Sequence, residues 1–280
     1  MSRVWGEDAA ALAAAGADAA ALAALEDGLL EGLGLPGGPR WDAHTHLGRD
    51  ADGHALDAAG LIADMDRWQV AGAVAFPANE PGEDRTFAAA NDAVLAAAAA
   101  YPGRIVPFCR VDPRADWRAA MDRAAAGGAR GLKLHPVAQG FAPESPESVA
   151  CVAAAAGRGW PVLFHAGFGA RRLAGPFREL LDAVPGARII LAHGARGDAR
   201  AVRAAFAGHP GVWFDTSLAT LPDLVELPPE RLVWGSDRPY GEHGTALQLA
   251  GLAARLAGWT AQQLAGVLGG NLLALLEPAA

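Results

Sequence analysis

The sequence predicts an α/β protein, a closed (β/α)8 TIM barrel with an N-terminal helical leader. Three observations carry that prediction. Short apolar runs recur eight times between residues 41 and 236, helix-forming stretches fill most of the intervals, and the domain from 39 to 280 has close to the roughly 250 residues such a barrel needs. A doubly wound open sheet is the competing architecture. It favours a glycine-rich phosphate turn after the first strand, and here that turn reads His44-Thr45-His46-Leu47-Gly48.

In chain order, residues 7–34 form an Ala/Leu tract of helical periodicity, interrupted at Gly16, Gly28 and Gly32. Leu35-Pro36-Gly37-Gly38-Pro39 then stops any helix, because proline removes a donor and glycine is flexible. The chain therefore divides into a helical leader, 1–38, and one domain, 39–280. The predicted strands are 41–44, 72–76, 105–111, 131–135, 162–165, 189–193, 212–216 and 232–236. Helical patterns cover 57–69, 84–100, 114–126, 145–158, 174–184, 197–207 and 245–276. Between the last two strands, Pro222, Pro228 and Pro229 leave room for only one or two turns.

Composition narrows the function classes. With 52% hydrophobic and 19% charged residues the chain is not disordered, although much of the apolar fraction is alanine, which suits helix surfaces. A net charge of −8 argues against a nucleic-acid backbone binder. Cys109 and Cys151 form neither a framework nor a CxxC pair, which fits a reducing compartment. The opening MSRVWGEDAA has no apolar h-region, and the most apolar run, 93–101, is far short of the roughly 20 residues that span a bilayer. A cytoplasmic protein without nucleic-acid or membrane partners is expected.

The residues that end the strands carry the chemistry. Strand one ends Asp42-Ala43-His44-Thr45-His46, strand four Lys133-Leu134-His135, strand five His165, strand six His193, and strand eight Ser236-Asp237. Barrel active sites lie at the C-terminal ends of the strands, so these groups should converge on one face. His44 and His46, at i and i+2, point to one side of a strand and can share an ion. His165 and the Asp237 carboxylate would complete an N,N,N,O set, which suits zinc or another first-row divalent metal. An HxH pair alone is weak evidence, since nearby histidines often only pack; five histidines at strand ends are not. Lys133 shares a face with His135. Arg110, Arg171, Arg196 and Arg238 stand at or beyond strand ends, where a guanidinium can clamp a carboxylate, and Arg238 follows Asp237 directly. Singly, each is better read as a solvated or ion-paired arginine. Asn79, Thr216 and Ser217 are weaker candidates still, His209 reads as a turn residue, and His54 and His243 receive no role. Trp41 and Trp234 read as packing residues.

WDAHTHLG at 41–48, GLKLHP at 131–136, PVLFHAG at 161–167, IILAHGA at 189–195 and WGSDRP at 234–239 together resemble the amidohydrolase-related proteins of the metal-dependent amidohydrolase superfamily. The resemblance covers nearly all of 41–276 and is greatest to the branch containing aminocarboxymuconate-semialdehyde decarboxylase. It implies His44, His46, His165 and Asp237 as metal ligands and His193 as the acid/base. Lys133 stands where two-metal members carry a carboxylated lysine. In this branch the KLHP stretch does not usually imply a second ion, so one divalent ion is expected, with zinc the first choice. Lys133, His135 and Arg238 become candidates for substrate binding. Relatives are often dimers, so a homodimer is implied.

The expected function is a metal-dependent hydrolase or decarboxylase acting on a small carboxylate-bearing or cyclic substrate through a metal-activated water, which Asp237 would orient or deprotonate. The alternatives are a metal-independent lactone hydrolase of the same family and a barrel that binds a small molecule without turnover.

Overall fold

A computed structural model of the chain describes residues 14, 16, 18–80 and 85–277. The start of the predicted leader, 1–13, therefore lies outside the described residues. The strands are β1 (Arg40–Arg49), β2 (Ala55–Leu56), β3 (Val70–Pro77), β4 (Ile105–Pro107), β5 (Cys109–Arg110), β6 (Leu132–Leu134), β7 (Pro161–Phe164), β8 (Arg188–Leu191), β9 (Val212–Asp215) and β10 (Leu232–Val233). β2 is a short antiparallel addition to the end of β1. β4 and β5 are halves of one strand broken after Pro107, which has no N–H to give the ladder. The others pair in parallel, in the orders β1-β3-β4 and β10-β9-β8-β7-β6-β5. The ring closes where Ala43 N–H donates to the Trp234 carbonyl (2.8 Å) and His46 N–H donates to that of Arg238 (2.7 Å).

Side-chain alternation separates two apolar layers. Leu132, Leu134, Val162, Phe164, Ile189 and Leu191 face outward, where helices cover them. Val74, Phe76, Val106, Phe108, Leu163, Ile190 and Val233 fill the barrel, and Leu272, Leu275 and Leu276 pack with them. The parallel strands are thus buried on both faces, which is why they read as continuous apolar runs.

The helical elements follow the sequence with some differences. The N-terminal helix runs Ala19–Leu33 straight through Gly28 and Gly32, and Leu33 and Leu35 pack against Gly251 of the helix His243–Ala257. The weak interval before β10 holds a short helix, Leu221–Val225, and a 3-10 turn, Pro229–Arg231, each opened by a proline. The predicted helix over 245–276 holds three α-helical pieces, His243–Ala257, Ala261–Ala265 and Asn271–Leu276, the last two joined by a π-helical turn, Gly266–Gly270. Gly258 in the left-handed conformation ends the first (φ +69°).

No helix is long and apolar enough to cross a membrane among the described residues.

Candidate active site

A cavity of about 330 Å³ opens at the C-terminal end of the barrel, and His44, His46, Lys133, His135, His165, His193 and Asp237 all line it. His44 and His46 lie within β1, and the others at or just beyond the ends of later strands. Lys133 is on β6, and His135 caps the short helix behind it, its Nδ1 accepting from Ala138 N–H (3.1 Å). His165 follows β7. His193 follows β8 in a turn where it, Gly194 and Ala195 are all left-handed (φ +60°, +59° and +54°). Asp237, also left-handed at φ +61°, follows β10 and is pinned by its own N–H to the His44 carbonyl (2.8 Å).

His44 reaches the cavity by a bulge. In the β1–β3 register Asp42 faces Ala73 and Thr45 faces Ala75, so two residues of β1 oppose the single Val74. Strict alternation would send His44 to the opposite face from Ala43, which packs inside the barrel. The extra residue re-aims His44 inward, as bulges at barrel rims do.

Three potential ligand atoms form a compact triangle. His44 Nε2 lies 3.2 Å from His46 Nε2 and 3.0 Å from Asp237 Oδ1, and His46 Nε2 lies 3.1 Å from the same oxygen. Tetrahedral zinc with Zn–N bonds near 2.0–2.1 Å has ligand–ligand edges of about 3.3 Å, so one ion fits these three groups. Asp215 accepts from His44 Nδ1 over 2.7 Å, which assigns the hydrogen to Nδ1 and leaves the Nε2 lone pair aimed at the triangle. Asp215 also accepts from the backbone N–H groups of His193 and Ser217, 2.9 Å each. Ser217 Oγ lies 3.2 Å from His44 Nδ1 and 3.1 Å from His193 Nδ1.

His165 lies in the cavity but outside this triangle. Its Nε2 donates to the Phe168 carbonyl (2.9 Å), and its Nδ1 is 3.2 Å from His193 Nε2. His193 Nδ1 donates to the Ser217 carbonyl (3.0 Å). Both outer nitrogens therefore carry hydrogens, and the contact between the inner two is a hydrogen bond only when the pair holds one additional proton. His135 stacks on His165 at 3.9 Å.

The electrostatics favour cation binding. Burial and then Lys133 oppose the charged form of His44, yet Asp237 and Asp215 outweigh them and raise its pKa. Burial pushes His46 and His165 down to about 3 and lowers His135 and His193, so these rings are neutral and have lone pairs to give. Burial opposes ionisation of Asp237, but His44 and His46 hold it well below the usual carboxylate range. Lys133, with Nζ 3.3 Å from His44 Nε2, is pushed down to about 7 by burial.

Arg238 departs from expectation. It is not among the lining residues, because Asp237 turns inward and its neighbour turns out. Its guanidinium meets Asp64 (2.5 Å) and Glu242 (3.7 Å), which makes it a structural ion-pair residue rather than a substrate clamp. Asp215, to which the sequence assigns no role, ends β9, and that strand-end placement is its signal. Asp50, Asp52, Asn79, Arg110, Phe168 and Tyr240 also line the cavity. His243 is buried, with Nε2 3.0 Å from Asp42 Oδ2.

The fold and the strand-end groups agree with a match to the amidohydrolase family model over residues 41–277. The chain belongs to the amidohydrolase family. Solved structures with the same fold include a probable 2-pyrone-4,6-dicarboxylic acid hydrolase from Acinetobacter baumannii with citric acid bound. It is 17% identical with a TM-score of 0.61, and the match covers 85% of this chain and 99% of that one. The IDCase of Metarhizium anisopliae is 16% identical with a TM-score of 0.66, over 86% and 98% of the two chains. A 5-carboxyvanillate decarboxylase from Novosphingobium aromaticivorans, in complex with manganese and a nitrobenzoic acid, is 15% identical with a TM-score of 0.65, over 86% and 96%. At these identities the likeness is one of fold. A sequence search of curated proteins finds no match.

Proposed function

We propose that this amidohydrolase-family protein is a metal-dependent hydrolase or decarboxylase acting on a small carboxylate-bearing or cyclic substrate. The observation that carries the reading is the buried triangle of His44 Nε2, His46 Nε2 and Asp237 Oδ1, whose 3.0–3.2 Å edges fit one divalent ion. These three residues would hold the ion, and His165 would join them through Nδ1, which faces His193 Nε2 at 3.2 Å. The nitrogen-rich set suits zinc, while manganese is the ion named for the N. aromaticivorans relative. A divalent ion in such a site supplies Lewis-acid charge and lowers the pKa of water toward ~7.

The chain's own groups divide the remaining work. Asp215 fixes the His44 ring through Nδ1. Asp237, ionised at neutral pH, has a second oxygen that can orient a water or take its proton. His193, neutral and fixed as the Nδ1–H form by the Ser217 carbonyl, offers Nε2 as the proton-transfer atom. Lys133, His135 and Arg110 line the same cavity and present positive or polar groups to a substrate carboxylate.

The test is turnover of a panel of lactones, esters and aromatic carboxylates by zinc- and manganese-loaded protein, before and after chelation. Activity that disappears on chelation and returns with metal supports the reading. Undiminished lactone hydrolysis by metal-free protein would replace it with the metal-independent lactonase alternative.

A further inference from the structure

Beyond Phe168 the catalytic cavity borders a second hollow of about 560 Å³, walled by Arg171, Arg172, Arg196 and Asp198 and by the backbone of Gly167 and Gly197. Phe168 lines both spaces and so partitions them. The residue is 54% exposed, and its ring lies 6.0 Å from the His193 ring and carries the Arg196 guanidinium at 4.9 Å on a cation–π contact.

The hollow is built rather than a chance gathering of surface arginines. The two loops that form it are in backbone contact: Gly197 N–H donates to the Ala166 carbonyl (3.1 Å), and a Cβ at Gly197 would come within 2.2 Å of the Ala170 carbonyl oxygen. Arg172 is left-handed at φ +55°, and Arg196 directly follows the left-handed run His193–Ala195. Such backbone is disfavoured at non-glycine residues and persists where surrounding structure holds it, commonly at ligand sites. The Asp198 carboxylate is engaged, its Oδ2 accepting from Leu173 N–H (2.7 Å). A chain of net charge −8 thus gathers three arginines against one occupied carboxylate beside its catalytic cavity, with Arg196 Nη1 also donating to the Leu218 carbonyl (3.3 Å).

We propose that this hollow is a second anion subsite, which takes a terminal phosphate or carboxylate of a substrate whose reacting end lies at the His44–His46–Asp237 centre. That substrate assignment rests on the function proposed above; anion binding in the hollow does not. Guanidinium groups bind both anion types in paired hydrogen bonds, and a substrate lying across Phe168 would present its tail to Arg171, Arg172 and Arg196 together.

The experiment is calorimetric titration of the full chain with inorganic phosphate and, separately, with succinate, in a non-coordinating buffer at low and high salt. Wild type is compared with R171Q/R172Q/R196Q, with R171Q/R172Q, which leaves Arg196 on Phe168, and with H44A/H46A. Binding of either anion that weakens at least tenfold in both arginine variants, persists in H44A/H46A and falls with salt supports the subsite. The anion bound more tightly then names the tail. Equal affinity in R171Q/R172Q and wild type, no binding of either anion, or binding lost only in H44A/H46A would overturn it. Metal content of the same samples keeps the two readings apart, since a wild type that binds the anion but no metal keeps the subsite and loses the proposed chemistry.

Discussion

Asp215 and His44 share a hydrogen bond of 2.7 Å between two side chains with essentially no solvent exposure, joining the end of β9 to the bulge of β1 past the intervening β10. One carboxylate thereby sets the tautomer of His44, its ring orientation and, through the backbone of His193, the neighbouring strand end. Replacing Asp215 by Asn keeps the shape but removes the charge. Outer carboxylates on metal-binding histidines typically carry about 10–100-fold in metal affinity or activity, so D215N is expected to bind zinc that much more weakly in a competition titration. Unchanged affinity would mean that the bond is only structural.

His165 and His193 look alike in sequence and should fail differently. H165A is expected to lower metal content along with activity. H193A is expected to stay metal-replete and lose about 10²–10⁴-fold in kcat, the usual contribution of a positioned proton-transfer group. Elemental analysis beside steady-state kinetics separates the two. An H193A protein without metal would make His193 a ligand.

Lys133 gives a stability prediction whose sign can be fixed. Burial brings its folded pKa to about 7, against about 10.4 unfolded, so the unfolded chain binds more protons between those values and stability rises with pH across that window. Below pH 7 the cost of burying the lysine is complete. K133M is therefore expected to melt above wild type at about pH 6 in chelator-treated protein, with the gap closing toward about pH 10. A variant that melts lower at pH 6 would show that Lys133 is a net stabiliser.

Arg238 supplies the contrast. Its partners Asp64 and Glu242 are partly exposed, so R238Q is expected to cost about 1 kcal/mol or less, or about 2–4 °C in Tm at most. Metal content and KM should stay as in wild type. A large rise in KM without loss of stability would return Arg238 to the substrate site.

The barrel was legible because both faces of its strands are apolar and the interruptions are polar. Val162–Phe164 and Ile189–Leu191 can be read as buried strands without further information. Five histidines, Lys133 and Asp237 followed from the same strand-end rule and share one cavity. The rule applied equally to Asp215, but a single carboxylate after Phe214 has no sequence partner to draw notice; His44 is 171 residues away. The bulge that aims His44 was not legible, because it exists only in the register with β3. His243 opens a helix and reads as a rim residue, yet the turn at 237–241 brings its Nε2 within 3.0 Å of Asp42, which accepts from the N–H groups of His44 (2.9 Å) and Ser236 (3.0 Å). Such contacts join distant segments and leave no local pattern.

The central claim is that His44, His46 and Asp237 form a metal centre. Elemental analysis of the full chain, loaded with zinc or manganese and dialysed, tests it most directly beside H46A and D237A prepared in the same way. The account predicts about one divalent ion per chain in wild type and a small fraction of that in either variant. Wild type that retains no ion, or variants that retain as much as wild type, would contradict it.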